Sequence, residues 1–170
     1  MRAPGRAPLF LRFESFATPL GLFSVAVDAD GAVVATAFGD ELRLRAKMPH
    51  ATWLHAPAAT AEVRSQVEDY LRGDRRDFSL RLAVAGTSFQ QRVWAELRKI
   101  PHGRTATYGE IAETLGNRGA SRAVGRANAT NPICVIVPCH RVIGADGSLT
   151  GFAYGEDLKR KLLKLEGALA

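Results

Sequence analysis

The chain has 170 residues, 46% of them hydrophobic and 24% charged, with a formal net charge of +6; that balance argues against a disordered chain and allows one good core or two small ones. No apolar stretch is long enough to span a bilayer and Met1–Arg6 carries no apolar signal segment, so a cytoplasmic location without membrane attachment is expected. Only two cysteines are present, Cys134 and Cys139, which argues against a disulfide framework and for reduced thiols.

In chain order, Phe10–Phe16 and Leu22–Val27 read as strands separated by Thr18-Pro19-Leu20-Gly21. Asp28-Ala29-Asp30-Gly31 is a turn before a third strand, Ala32–Phe38, so a three-stranded meander is predicted. His50 and His55 fall in a loop-like stretch without cysteine partners and read as surface residues, not zinc ligands. Val63, Val67, Tyr70 and Leu71 share one helical face within Thr60–Arg72, closed by Gly73-Asp74. Phe78, Leu80, Leu82 and Val84 then alternate as a further strand.

The second half is helical and more basic: residues 86–170 hold 12 Lys and Arg against 7 Asp and Glu, whereas residues 1–85 hold 11 against 10. Such an excess does not by itself separate polyanion binding from an inert basic surface. Thr87-Ser88-Phe89-Gln90 has the form of a capping box, and Phe89, Val93, Trp94, Leu97 and Ile100 form an apolar stripe that ends at Pro101-His102-Gly103. Thr107-Tyr108-Gly109-Glu110 is a second capping box, opening a short helix to Leu115. Gly116–Gly119 is a turn and Ala120–Ala129 another helix, together a helix-turn-helix. Gly119, Ala123 and Ala127 make a face of small side chains beside Arg122 and Arg126. The commoner use of such a face is tight packing, the less common one a grip on nucleic acid.

Asn131-Pro132 ends that helix, Ile133–Val137 reads as a buried strand, and Pro138 precedes Cys139-His140. A thiol becomes a nucleophile on losing its proton, and a nearby imidazole can take it. Adjacent residues of an extended chain point apart, so the two side chains cooperate only if the backbone turns there or a water bridges them. On spacing alone, an inert buried cysteine is the default reading, and Cys134 keeps it.

Asn131-Pro132, Pro138-Cys139-His140-Arg141-Val142-Ile143, Gly151-Phe152 and a basic terminal helix ending Leu165-Glu166-Gly167 resemble the O6-alkylguanine-DNA alkyltransferase (methylated-DNA-protein-cysteine methyltransferase) family. The resemblance continues upstream through Thr105–Ala112 and Ser121–Gly125, and spans Phe89–Gly167 in order. It implies an α+β fold, with a ribonuclease-H-like α/β domain over residues 1–85 and a mostly helical winged helix-turn-helix domain over residues 86–170. It also implies direct reversal of DNA damage: an alkyl group passes irreversibly from guanine O6, and from thymine O4, to Cys139, once per molecule and without cofactor or metal.

Carried over by position, the resemblance makes His140 the base, acting through water, and Glu166 the group that orients it. Tyr108 donates to guanine N3, Asn131 braces the cysteine segment, and main-chain groups at Cys139 and Val142 read the base edge. Val142, Phe152, Ala153 and Tyr154 line the base pocket. The implied partner is double-stranded DNA bound in the minor groove, with the alkylated nucleotide rotated out and Arg122 filling its place. Gly119, Ala123 and Ala127 keep the entering helix slim, and Thr107 and Ser121 complete the DNA contacts. The protein is expected to act as a monomer, with cooperativity on DNA left open.

Two departures bear on the pocket: Ala153 stands where many members have serine, and Tyr154 beside it narrows the pocket or stacks on the base. No N-terminal cysteine cluster is present, which excludes the zinc-bearing, transcription-activating form, and Met1–Pro8 reads as a basic extension. The main alternative is a non-catalytic helix-turn-helix protein that recognises alkylated bases, but such a relative would replace the acceptor cysteine. A regulator reading the major groove has no use for Tyr108, Asn131, His140 and Glu166 together. A cysteine hydrolase would need an acyl-transfer signature that the sequence lacks.

Overall fold

The computed structural model describes residues 8–170, so the extension read at Met1–Pro8 lies outside them apart from Pro8. Strands β1 (Phe10–Thr18), β2 (Gly21–Val27) and β3 (Val33–Phe38) form the predicted antiparallel meander. At its second turn Asp28 Oδ1 accepts from the amides of Asp30 (2.9 Å) and Ala32 (3.0 Å), while Gly31 takes a φ of 82° that a side chain would resist.

Two elements occupy the stretch that reads as a loop. Helix α1 (Glu41–Lys47) is capped by Asp40, whose Oδ1 accepts from the Leu42 amide at 3.0 Å, and it buries one side chain, Leu44. Two turns with a single inward residue are too short to show a helical period. Strand β4 (Thr52–His55) pairs parallel to β1 and completes the order β3-β2-β1-β4. His55 is therefore a strand residue, its ring 5.6 Å from that of Phe13.

Both faces of this sheet are covered, which is why β3 is buried along its whole length. Phe23, Val25 and Phe38 meet Val67 and Tyr70 of helix α2 (Pro57–Leu71) on one face, and Leu11, Ala26 and Val34 meet Leu44 on the other. The first of these clusters continues without a break through Trp94, Leu97, Val124, Ile133 and Leu162, so the two halves of the chain share one core.

The strand predicted at Phe78–Val84 is absent; Leu82 alone bridges Val33. Phe78, Leu80, Leu82 and Val84 still pack against the core, so their alternation reports burial without a ladder. The reason is a shared edge. One end of β3 bonds residues 81 and 83 through Val33, and the other bonds the segment of the two cysteines, with the Thr36 amide donating to Pro132 O at 2.9 Å.

Both predicted capping boxes are present, opening helices α3 (Ser88–Leu97) and α4 (Tyr108–Thr114). A short 3-10 turn at Arg118–Ala120 leads into α5 (Ser121–Ala129), giving the helix-turn-helix. Trp94 Nε1 donates to Ala127 O at 2.8 Å and locks α3 to α5. Strands β5 (Ala106–Thr107) and β6 (Val142–Ile143) pair in parallel, and helix α6 (Glu156–Leu165) closes the fold.

Ile133–Val137 is buried as expected but is no regular strand. Val135 has a φ of 73°, the only positive value outside glycine among the described residues. A β-branched residue in that region costs about 1–3 kcal/mol and persists only where its surroundings hold it.

Candidate active site

After Pro138 the backbone turns, and Cys139–Arg141 form one turn of 3-10 helix. The strand-like alternation that would separate Cys139 from His140 is thereby broken. Asn131 holds the approach to this turn: its Nδ2 donates to Val137 O at 2.8 Å and its Oδ1 accepts from the Ile133 amide at 3.0 Å. Asn128 Nδ2 donates to the Cys139 carbonyl at 3.2 Å. From the sheet side, Thr36 Oγ1 donates to Cys134 O at 2.8 Å, and Lys47 Nζ reaches Thr36 O at 2.9 Å and Pro132 O at 3.4 Å. The strained Val135 thus sits between bonds from β3, α1 and the end of α5.

His140 is fully buried, its Nε2 2.8 Å from Glu166 Oε1. An ionised carboxylate only accepts, so Nε2 carries the imidazole proton and Nδ1 the lone pair. Nδ1 is buried without a hydrogen-bond partner among the described residues. Glu166 is held by more than the histidine: Arg141 donates from Nε to Oε2 (2.9 Å) and from Nη2 to Oε1 (2.8 Å), and Tyr70 Oη donates to Oε1 (2.5 Å). Arg141 Nη1 also donates to Ile100 O at 2.6 Å, fastening the cluster to the end of α3.

These contacts fix the charge state. Burial pushes the Glu166 carboxyl up, but the hydrogen bonds from His140 and Arg141 outweigh it and leave it well below the usual carboxylate range. Burial lowers His140 despite the pull of Glu166, so the imidazole rests neutral. Burial raises the Cys139 thiol to about 12, with Cys134 adding to the rise and Asn131, Lys47 and Lys159 opposing it. The resting pair is therefore a neutral thiol and a neutral base. Cys134 is pushed up by burial as well and has no comparable base beside it.

Around the thiol, buried Lys159 donates from Nζ to Val142 O (2.5 Å) and Thr150 O (3.3 Å), and burial lowers its pKa to about 8. Tyr108 Oη donates to the same Thr150 carbonyl at 2.9 Å. Val142 and Phe152 are buried and Ala153 is exposed. Tyr154 is half-buried, its ring 5.6 Å from both Phe38 and Phe152. Among the described residues no group of His, Cys, Asp and Glu could hold a metal ion.

On the helix-turn-helix, Arg122 and Arg126 are exposed, and Ser121 and Ala123 are half-buried. Gly119 lies in the 3-10 turn ahead of α5, and Ala127 faces the core at 3% exposure. The three small residues therefore do not share one outward face. Thr107 Oγ1 is engaged as the cap of α4, accepting from the Glu110 amide at 3.1 Å.

The family model described as "6-O-methylguanine DNA methyltransferase, DNA binding domain" matches residues 88–168. The chain is 46% identical over 156 residues to the methylated-DNA–protein-cysteine methyltransferase of Methanosarcina acetivorans, covering 92% of this chain and 98% of that one. The chain belongs to the methylated-DNA–protein-cysteine methyltransferase family. The Mycobacterium leprae methyltransferase is 54% identical over 114 residues, 67% of this chain and 69% of its own length. Among solved structures, Mycobacterium tuberculosis OGT in complex with DNA superposes with a TM-score of 0.83 at 39% identity, covering 94% of this chain and 93% of that one.

In this methyltransferase the structure brings Cys139, His140, Asn131 and Glu166 into one buried cluster, with Tyr108 at the near wall. It adds Arg141, already part of the Cys139 motif, as the ion-pair partner of Glu166, and it adds Tyr70, Thr36, Lys47 and Lys159, which spacing could not have linked to the thiol. Tyr70 had a signal of a kind, as a polar-tipped residue on the inner face of α2.

Gly151 tests the wall at Tyr108. Its φ is 85°, and a β-carbon there would overlap the Tyr108 hydroxyl. Gly151→Ala is expected to destabilise the fold by more than about 1 kcal/mol and to slow alkyl transfer, read from urea unfolding and from single-turnover rates.

Proposed function

We propose that Cys139 takes an alkyl group from O6 of guanine, and also from O4 of thymine, in DNA by direct displacement. The observation that carries this reading is the buried Cys139-His140-Glu166 arrangement, in which the one imidazole nitrogen without a partner, Nδ1, belongs to the residue next to the thiol. The thiol proton passes to Nδ1 through a bridging water, and the sulfur attacks the alkyl carbon. The S–C bond forms as the C–O6 bond breaks, and the electron pair leaves with the guanine. Glu166 keeps Nε2 protonated and stabilises the imidazolium. Tyr108, released from Thr150, donates to N3 of the departing base, lowering the energy of its developing negative charge.

A thiol with a pKa near 12 is inert until a base and an electrophile are both in place, which suits a residue used once. The thioether product is not reversed by thiol exchange. The reading takes residues 1–85 as the domain that braces the nucleophile segment and residues 86–170 as the domain that engages DNA. Binding is in the minor groove, by a monomer, with α5 leading and exposed Arg122 filling the gap of the rotated nucleotide.

Intact-protein mass spectrometry after incubation with an O6-methylguanine duplex is expected to show a single added methyl mapped to Cys139. An unshifted mass for DNA-bound protein overturns the proposal. Arg122→Ala is expected to slow repair of duplex by about tenfold or more while leaving attack on free O6-benzylguanine nearly unchanged. Equal losses on both substrates would remove Arg122 from base rotation.

A further inference from the structure

Three donors converge on one carboxylate oxygen. Glu166 Oε1 receives His140 Nε2 at 2.8 Å, Arg141 Nη2 at 2.8 Å and Tyr70 Oη at 2.5 Å. A carboxylate oxygen offers about two lone pairs, so the three compete for it. Tyr70 Oη and His140 Nε2 stand 3.4 Å apart, and because both donate to Oε1 neither bonds the other. Arg141 carries a fixed charge and His140 gains one during the reaction, which leaves Tyr70 as the neutral donor. Its hydroxyl keeps its proton throughout, since burial and then the Glu166 charge push it well above the ordinary tyrosine value.

Tyr70 is fully buried near the end of α2, its ring 5.3 Å from that of Phe78 and edge-on to His102 at 6.1 Å. That packing needs only the ring and would be met by phenylalanine, so the hydroxyl calls for a reason of its own. Among the described residues, it is also the only group from the first half of the chain that hydrogen-bonds the cluster of His140, Arg141 and Glu166. We propose that Tyr70 is a positioning residue that sets the strength of His140 as a base: by occupying part of Oε1 it limits how tightly Glu166 holds the imidazolium. The inference rests on the alkyl-transfer reading given above, in which the thiol proton of Cys139 passes to His140.

The reaction needs that limit. A base held too tightly by its carboxylate is already protonated at rest and takes nothing from the thiol; one held too loosely leaves the imidazolium unsupported. The groups that act on His140 are Glu166 and Lys159 from the side of α6, Arg141 and Cys139 on its own turn, and Tyr70 from α2. Beyond Tyr70 lies His102, with Arg76 and Asp77 in its electrostatic reach. Of all these, Tyr70 alone bears on Glu166 without carrying or gaining a charge. Without its hydroxyl, Oε1 is left to His140 and Arg141. The imidazolium is then held more strongly, and His140 is protonated at higher pH.

The test follows single-turnover transfer from an O6-methylguanine duplex against pH, at saturating protein, for the unaltered chain, for Tyr70→Phe and for protein with 3-fluorotyrosine at position 70. Melting curves check that each keeps the fold. Tyr70→Phe is expected to move the acid limb of the rate up by about half a unit to one unit. On that limb transfer then falls about three- to tenfold, while the rate above it is kept. The fluorinated ring, a stronger donor, is expected to move the limb the other way. Nitrogen-15 spectra of labelled histidine, recorded without substrate, should show the His140 titration shifting by the same amount. His102→Gln, which removes the neighbouring titration, should leave the limb in place. Slowing by one factor at every pH would reduce Tyr70 to packing and overturn the inference, as would an unmoved His140 titration or a limb that vanishes in His102→Gln. Absence of any methyl transfer by the unaltered protein, with the nitrogen-15 shift still present, would instead overturn the alkyl-transfer reading.

Discussion

Cys139→Ser is expected to bind O6-methylguanine duplex as the unaltered protein does and to leave every adduct in place. The two side chains differ by one atom, and Cys139 is 4% exposed at a place where the smaller oxygen substitutes for the sulfur without a clash, so the fold should hold. Reactivity should not survive. Burial already raises the thiol to about 12, and an alcohol in the same place starts several units higher. His140, itself lowered by burial, is too weak a base to deprotonate it. The measurement is paired: duplex affinity by fluorescence anisotropy, and retained adduct by chromatography of the digested DNA. Transfer by the serine variant at a measurable rate would move the acceptor role away from Cys139. Cys134→Ser, in contrast, should leave transfer intact, since Cys134 has no base beside it.

Glu166→Gln is expected to damage both stability and chemistry. The carboxylate is fully buried and receives Arg141 through two nitrogens, His140 Nε2 and the Tyr70 hydroxyl. A neutral amide keeps one acceptor oxygen but turns an NH₂ group toward the guanidinium. Arg141 is then a buried charge without its counter-ion, and the loss expected is about 3–5 kcal/mol. Transfer should fall on the order of 10²–10⁴-fold, because the base loses both its orientation and the charge that stabilises its protonated form. Glu166→Asp keeps the charge and shortens the reach, so it should recover stability more than rate.

The same residues set the acid limit of the fold. The folded pKa of Glu166 lies below its unfolded value, so its contribution is complete above about 4.3 and is lost as pH falls through the folded value. His140 is also lowered, so the unfolded chain binds its proton first and stability begins to fall below about 6.5. Urea unfolding followed from pH 7.5 down to about pH 2 should show a steady decline in the unaltered protein. In Glu166→Gln the part of the decline below about pH 4.3 should be smaller. A flat profile in the unaltered protein would contradict the charge states assigned to this cluster.

How much of this was written in the sequence depends on the range of the interactions. The two capping boxes, the apolar stripe of α3 and the turn at Asp28–Gly31 are decided by residues within four positions of each other, and all appear in the structure as read. The order of Asn131, Pro138-Cys139-His140 and Glu166 was enough to name the family. What local pattern could not supply was competition and closure. Phe78–Val84 alternates like a strand but makes one bridge, because the β3 edge it would join is shared with Pro132 and Ile133. Helix α1 has too few buried side chains to announce itself, and so Lys47, which it sets against the nucleophile segment, was invisible as part of the site.

The sequence by itself determined which atoms can react and where the helices begin, since both follow from residue identity and short-range hydrogen bonding. Only the tertiary structure decided that Cys139 and His140 sit on one turn rather than on opposite faces. That turn follows a segment in which Val135 takes a left-handed conformation and the neighbouring carbonyls of Pro132, Cys134 and Val137 are held by Lys47, Thr36 and Asn131, residues up to about a hundred positions away in the chain, and no periodicity records contacts at that separation.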